Sequence, residues 1–298
     1  MEIRVLRYFL AVAREETISG AAESLNVTQP TLSRQLMELE DELGKQLFRR
    51  GSRKITLTEE GMILRKRAEE IIELLDKTRA EVTTSDEDVS GDIYIGGAET
   101  EGIRFIARTI KELQLEHPNI VFRLYSGNAE EITERLDRGL LDFGMLLDPA
   151  DMSKYDFMKL PGLDVWGVLM PKDCPLAKKK VIRSRDLFGL PLIISDQSMV
   201  RNEISGWASG KFNKLNIVAT YNLLFNASLM VEEGVGYALC LDKIIRTCED
   251  AKLCFRPLEP KLEVAMSIAW KKYQVFSKAS KVFLERLQRN LSDGTAVG

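Results

Sequence analysis

The sequence predicts an α/β protein headed by a small all-α module, and three observations carry that expectation. Residues 19–47, SGAAESLNVTQPTLSRQLMELEDELGKQL, hold two short helical patterns on either side of a tight turn. From residue 59 a long apolar repeat advances in alternating steps of four and three. From residue 92 onward strand-like runs alternate with helical ones, the mark of α/β layering with mostly parallel sheets.

In the head, Ile3, Leu6, Phe9, Leu10 and Ala13 share one face of a helix over roughly residues 2–15. Ile18 and Ser19 read as the start of a second helix with Ser19 as its N-cap, and small Ala21 and Ala22 with Leu25 allow close packing. Asn26 and Val27 make the turn. Thr28 caps a third helix, Pro30 sits in its first turn where a missing N–H is harmless, and Leu32, Leu36, Leu39 and Leu43 form its inward stripe. The other face carries Gln29, Thr31, Ser33, Arg34 and Gln35. These are residue types that read base edges: glutamine pairs well with adenine and arginine with guanine. Glu38, Glu40, Asp41 and Glu42 crowd the far end and would repel phosphate, so the helix should enter DNA by its N-terminus.

Lys45, Arg49, Arg50, Arg53 and Lys54 are five cations with no acid among residues 45–54, arranged around a Gly51-Ser52 turn as a basic β-hairpin, or wing. Helix-turn-helix spacing alone also occurs in all-α proteins with no nucleic-acid partner. The wing beside it favours double-stranded DNA.

Composition agrees with a soluble regulator or enzyme rather than a general polyanion binder. The 298 residues are 45% hydrophobic and 29% charged, with a net charge of −3. Residues 1–58 hold nine Lys and Arg against eight Asp and Glu, so DNA affinity must come from where the cations sit. The opening MEIRVLRYFLAVA imitates an export signal, but Arg14, Glu15 and Glu16 cut it short, and it reads as the first helix. No segment approaches the roughly 18 apolar residues a bilayer crossing needs, so a cytoplasmic protein with no membrane partner is expected. Cys174, Cys240, Cys248 and Cys254 have no paired spacing and His117 is the only histidine, which argues against a zinc site, and no metal or cofactor is expected. Buried thiols are the favoured reading for Cys240 and Cys254. The chain has no GxSxG, P-loop or strand-following GxGxxG, so an enzyme is not expected.

Thr58, Glu59 and Glu60 cap a long helix in which Leu64, Ala68, Ile71, Leu75, Thr78 and Val82 form the repeat noted above. That seam predicts self-pairing into a homodimer, against the alternative of a helix packed on its own domain. TTSDEDVSG, residues 83–91, reads as a hinge. Beyond it, strands are expected at DIYIGGA, IVFRLYSG, DFGMLLD, VWGVLMP, PLIISD, IVATYN, YALCLD and VAMSIAWKK, with helices over 102–115, 129–140, 223–233 and 277–291.

The run FLAVAREETISGAAESLNVTQPTLSRQLMELEDELGKQLFRRGSRKITLTEEG closely resembles the N-terminal region of LysR-type transcriptional regulators. The remainder resembles that family's effector region through EHPNIVFRLYSG, LDRGLLDFGMLL, RDLFGLPLIIS and VEEGVGYALC. By this resemblance Gln29, Pro30, Ser33 and Arg34 occupy recognition-helix contact positions and Arg53 is the wing arginine. With Thr31 and Arg50 they make the expected DNA-binding set. The resemblance implies a winged helix-turn-helix over 1–58, a linker helix and hinge over 59–90, and a two-lobed α/β effector domain over 91–298. That domain would be built like a type 2 periplasmic binding protein, with lobe one at 91–162 and 268–298 and lobe two at 163–267. It further implies a small-molecule effector between the lobes, an interrupted inverted repeat as target, a tetramer built from dimers, and RNA polymerase as a possible partner.

Ligands in such sheets collect at strand C-termini and helix N-termini. Thr100, Ser126, Asn128 and Ser195 are therefore candidate hydrogen-bonding groups, and Met199 and Phe225 candidate apolar walls. Each polar candidate could instead cap the helix that follows it. Glu99 and Glu101 beside the pocket favour a neutral, amine-bearing or amino-acid-like ligand, whereas Arg104 and Arg201 could reverse that preference.

Overall fold

Two compact units make up the chain in this computed structural model, residues 1–83 and 84–298. The structure describes all residues except 52–53, 84–88, 249 and 294–298, and the side chains of 50, 80, 83 and 198–201 also lie outside the description.

The first unit begins with α1 (Ile3–Glu15), α2 (Ile18–Ser24) and α3 (Gln29–Leu43), followed by the antiparallel pair β1 (Phe48–Arg50) and β2 (Ile55–Leu57), then α4 (Glu59–Thr83). α1 drops Val5, Leu6, Phe9 and Val12 into the core, and the Phe9 ring meets that of Phe48 at 5.1 Å between centroids. The cap of α2 is Thr17, not Ser19. Its extended backbone lets the side chain accept from the N–H of Gly20 at 3.2 Å, which leaves Ser19 inside the helix and exposed. Thr28 caps α3 by accepting from the N–H of Thr31, and Gly44, at φ 63°, ends it. Leu32, Leu36 and Leu39 are buried, but Leu43 is 42% exposed because the last turn overruns the small core. Glu40 turns back and accepts from the N–H groups of Leu47 and Phe48 at 2.7 and 3.2 Å, so an acidic residue of α3 fixes the root of the wing.

α4 is not a free-standing linker at its start. Ala68 is fully buried in the head core, with Leu64 and Ile72 packed beside it, and Arg7 reaches Asp76 at 2.6 Å. Gly61 makes this docking possible: a Cβ there would lie 2.2 Å from the Leu47 carbonyl oxygen. Gly61→Ala should therefore lift α4 off the wing and destabilise the head by about 1–3 kcal/mol, read as a lower melting temperature and shallower protection of α1 amides in hydrogen exchange.

The second unit carries β3 (Gly91–Gly97), α5 (Ile103–Glu116), β4 (Ile120–Ser126), α6 (Ala129–Asp137), β5 (Phe143–Leu147) and β6 (Tyr155–Lys159). The chain then crosses to β7 (Asp164–Pro171), β8 (Ile182–Arg183), β9 (Pro191–Ser195), α7 (Ser198–Trp207), β10 (Asn216–Tyr221), α8 (Leu224–Glu232), β11 (Tyr237–Leu241), β12 (Leu253–Glu259) and β13 (Glu263–Val264). It returns through β14 (Met266–Lys271) and α9 (Lys278–Ser292). Lobe one is a five-stranded sheet ordered β4-β3-β5-β14-β6, and lobe two a sheet ordered β10-β9-β11-β7-β12-β8 with β13 on β7. Both are mixed: β3, β4 and β5 run parallel, while β14 lies antiparallel to β5 and β6. Each lobe has its own cores, and Leu147 packs against one from each. β14 enters the lobe-one sheet at Met266, two residues ahead of the boundary read from sequence.

No helix among the described residues is long and apolar enough to cross a membrane. Cys240 and Cys254 are buried, and burial pushes both thiols up in pKa; Cys174 is half-buried and Cys248 exposed.

Candidate DNA-facing surface and interlobe cleft

The N-terminal half of α3 points away from the head core. Gln29, Pro30, Thr31 and Arg34 are exposed and Ser33 half-buried, while Leu32 and Leu36 on the opposite side are sealed. Arg34 is held by Glu38 at 2.8 Å, and Glu38 also accepts from Gln35 at 2.6 Å. Exposed pairs of this kind are weak, so a guanine edge or a phosphate can compete for the Arg34 guanidinium. Gln29 receives a long 3.5 Å hydrogen bond from Ser19. On the wing, Arg49 is exposed and Lys54 pairs with Glu16. Arg53 and the side chain of Arg50 lie outside the described residues.

The heptad positions of α4 divide between two roles. Ala68 is inside the head and so unavailable to a second chain, Leu64 is half-buried against that core, and Leu75, one heptad after Ala68, is half-buried. Ile71 and Val82 remain 38% and 78% exposed, and Thr78 is exposed with its hydroxyl turned to the Leu74 carbonyl. Ile63 and Leu74 are 66% and 41% exposed and lie on the same side by helical period. The physical reason is reach: the head is short and covers one flank of α4 over its first half, so a heptad-spaced stripe is consumed there and left free beyond.

Between the lobes lie two adjoining recesses of ≈20 and ≈40 Å³ that share Ala98, Leu147, Trp166 and Gln197. Hydrogen bonds between described residues join the lobes around them. Thr100 donates to Asp164, the N–H of Leu224 at the start of α8 donates to Glu99 at 2.5 Å, and the N–H of Ala129 at the start of α6 donates to Gln197 at 3.4 Å. Burial raises the Asp164 carboxyl above its usual pKa, against the lowering effect of the Thr100 bond. Glu203, which lines the smaller recess, is likewise pushed up by burial.

The expected ligand-facing residues do not gather at one place. Ser195 lines the ≈40 Å³ recess. Thr100 and Ser126 line a larger cavity of ≈420 Å³ near the start of α5, though the Thr100 hydroxyl is spent on Asp164. Asn128 is a helix cap: its side chain accepts from Glu131 N–H at 2.9 Å, in a capping box that completes α6. Phe225 is 61% exposed and lines none of these cavities, because α8 buries Leu224, Ala227, Ser228 and Val231 and turns Phe225 outward. The Met199 and Arg201 side chains lie outside the described residues. Trp166, Gln197 and Glu203 are the cleft residues that sequence reasoning missed. A tryptophan within the apolar run VWGVLMP was the available signal, since its indole N–H needs an acceptor wherever the ring is buried.

Residues 3–62 match the family described as bacterial regulatory helix-turn-helix protein, lysR family, and residues 86–292 match the LysR substrate binding domain. The Hca operon transcriptional activator HcaR of Escherichia coli (strain K12) is 28% identical over 302 residues, covering 99% of this chain and 100% of that protein. The transcriptional regulator IlvY of the same organism is 28% identical over 247 residues, 82% of this chain and 83% of that protein. The crystal structure of full-length CbnR complexed with its target DNA shares the fold at a TM-score of 0.74 and 19% identity, covering 97% of this chain and 99% of that one.

Proposed function

Since this chain belongs to the LysR family of bacterial transcription regulators, we propose that its α3 reads the major groove through Gln29, Pro30, Thr31, Ser33 and Arg34, steadied by Arg50 and Arg53 of the wing. The observation that carries this reading is the split of α3 into a sealed leucine face and an exposed polar N-terminal half. The family's regulators bind DNA and respond to effectors. Here the cleft between the lobes is the effector site, and ligand binding shifts an equilibrium between oligomer shapes and so the spacing of the heads.

The exposed stripe Ile63, Ile71, Leu74, Thr78 and Val82 supports a homodimer along α4, which sets two heads on the halves of an interrupted inverted repeat. On the family pattern two dimers join as a tetramer, RNA polymerase is the partner whose access changes, and the site of action is the cytoplasm. Domain roles follow the same division: 1–58 reads DNA, 59–90 pairs and links, and 91–298 senses.

Gel-shift titration against DNA flanking the protein's own gene tests the reading. Retention of one fragment well above random DNA at physiological salt is expected, and its absence would sink the proposal. Arg34→Ala should weaken that specific retention by about 1–3 kcal/mol, roughly 5- to 150-fold, with the melting curve unchanged. Equal weakening on random DNA would instead make Arg34 a phosphate contact.

A further inference from the structure

Two side chains of the interlobe cleft carry hydrogen-bonding capacity that no described residue meets. Trp166 on β7 is 3% exposed, lines both recesses, and its indole nitrogen has no hydrogen-bond partner. An indole nitrogen can only donate, and folded proteins rarely leave a buried donor unmet. Glu203 on α7 lines the ≈20 Å³ recess with it, and burial is the one influence that acts on its carboxyl: neither a charge nor a hydrogen bond from a described residue reaches it.

Charge narrows what could meet both. Asp148 lines the same recess and Glu99 the adjoining one, while no lysine or arginine is among the described residues lining either. An anion placed there would face the unpaired Glu203 carboxylate, with Asp148, which Lys159 reaches at 4.0 Å, and Glu99, which accepts from the Leu224 N–H, close by. A cation would pair with Glu203. The geometry points to a small amine bearing a neighbouring oxygen, an amino alcohol or amino amide, as the effector class, its ammonium on Glu203 and its oxygen accepting from the Trp166 indole N–H. This rests on the reading that the interlobe cleft is the effector site. Leu147, Met145 and Val264 cover the carbon skeleton, and the small volumes of the recesses confine the ligand to a few heavy atoms while the lobes are drawn together. Gln197, common to both recesses and bonded across the lobes to Ala129, is the side chain that such a ligand must push against.

The test uses the full-length protein and two matched pairs of probes, ethanolamine with glycolate and glycinamide with malonamate, followed by thermal melting and titration calorimetry. The amines should raise the melting temperature and bind at least tenfold more tightly than their carboxylate counterparts. Trp166→Phe keeps the ring and removes the donor. Glu203→Gln keeps the shape and removes the charge, at a half-buried position where folding is not at risk. Each should weaken amine binding about tenfold or more. Carboxylates that stabilise the protein and lose their effect in Trp166→Phe would overturn the amine class and keep the cleft as the site. No response to any probe, or responses indifferent to both substitutions, would overturn both.

Discussion

Replacing both Ile71 and Leu74 by glutamate should leave the head folded and abolish self-association. The two residues are 38% and 41% exposed and outside the head core, which is closed by Leu64, Ala68 and Ile72 on another flank of α4, so the new carboxylates can reach water within their own unit. Within a pairing seam they would have to be stripped of water without a partner, which few interfaces survive. Size-exclusion chromatography with light scattering should show a monomer. The loss on DNA should be larger than any single contact explains, because a head that must bind its half-site alone forfeits the effective-concentration gain of roughly 10²–10⁴ that a linked pair enjoys. A double variant that still elutes as the wild-type oligomer would show that the exposed stripe is not the seam.

The second large effect is Phe9→Ala. Phe9 is fully buried, its ring tilted by 45° against that of Phe48, and it shares one core with Leu32, Leu36, Leu47 and Ala68, the core on which α3 rests. Removing it should cost about 3–5 kcal/mol, much of the roughly 5–15 kcal/mol that holds a typical domain folded. Residues 84–298 draw on separate cores. Calorimetry should therefore show an early transition for the head moving sharply down and the later one holding still, with DNA retention lost at 37 °C. A single transition shifting as a whole would mean that the units melt together.

How much of this was legible in the amino-acid order depended on whether the deciding forces were local. α3 announced itself through Thr28, Pro30, Gly44 and a leucine spacing, all within one helix, and β3, β4, β5, β7, β9 and β11 through apolar runs bounded by turn residues. β6 was missed because it is an edge strand with only Tyr155 inward, so half of it looks like loop. α7 was missed for a similar reason: SMVRNEISGW carries glycine and two serines and no clear stripe. The antiparallel placement of β14 comes from the chain's second crossing between lobes, which no local pattern encodes. At the cleft, strand ends pointed to Ser195 and Glu99, which line one of the recesses. Asn128 and Phe225 failed on contacts visible only in three dimensions, a cap completed by Glu131 and a helix face turned outward. The heptad stripe was genuine as a pattern, but the sequence cannot say that Ala68 is claimed by its own head before any partner arrives.

That claim has a mechanical corollary. Because Gly61 presses against the wing root and Ala68 is buried beside α1, the first turns of α4 are built into the same core as the reading helix, and α4 leaves that core as one unbroken rod. In a pair joined along the free half of that rod, the gap between the two reading heads is a ruler length set by the angle at which the rods cross. A few degrees of scissoring at the far end would then register as ångströms along the groove.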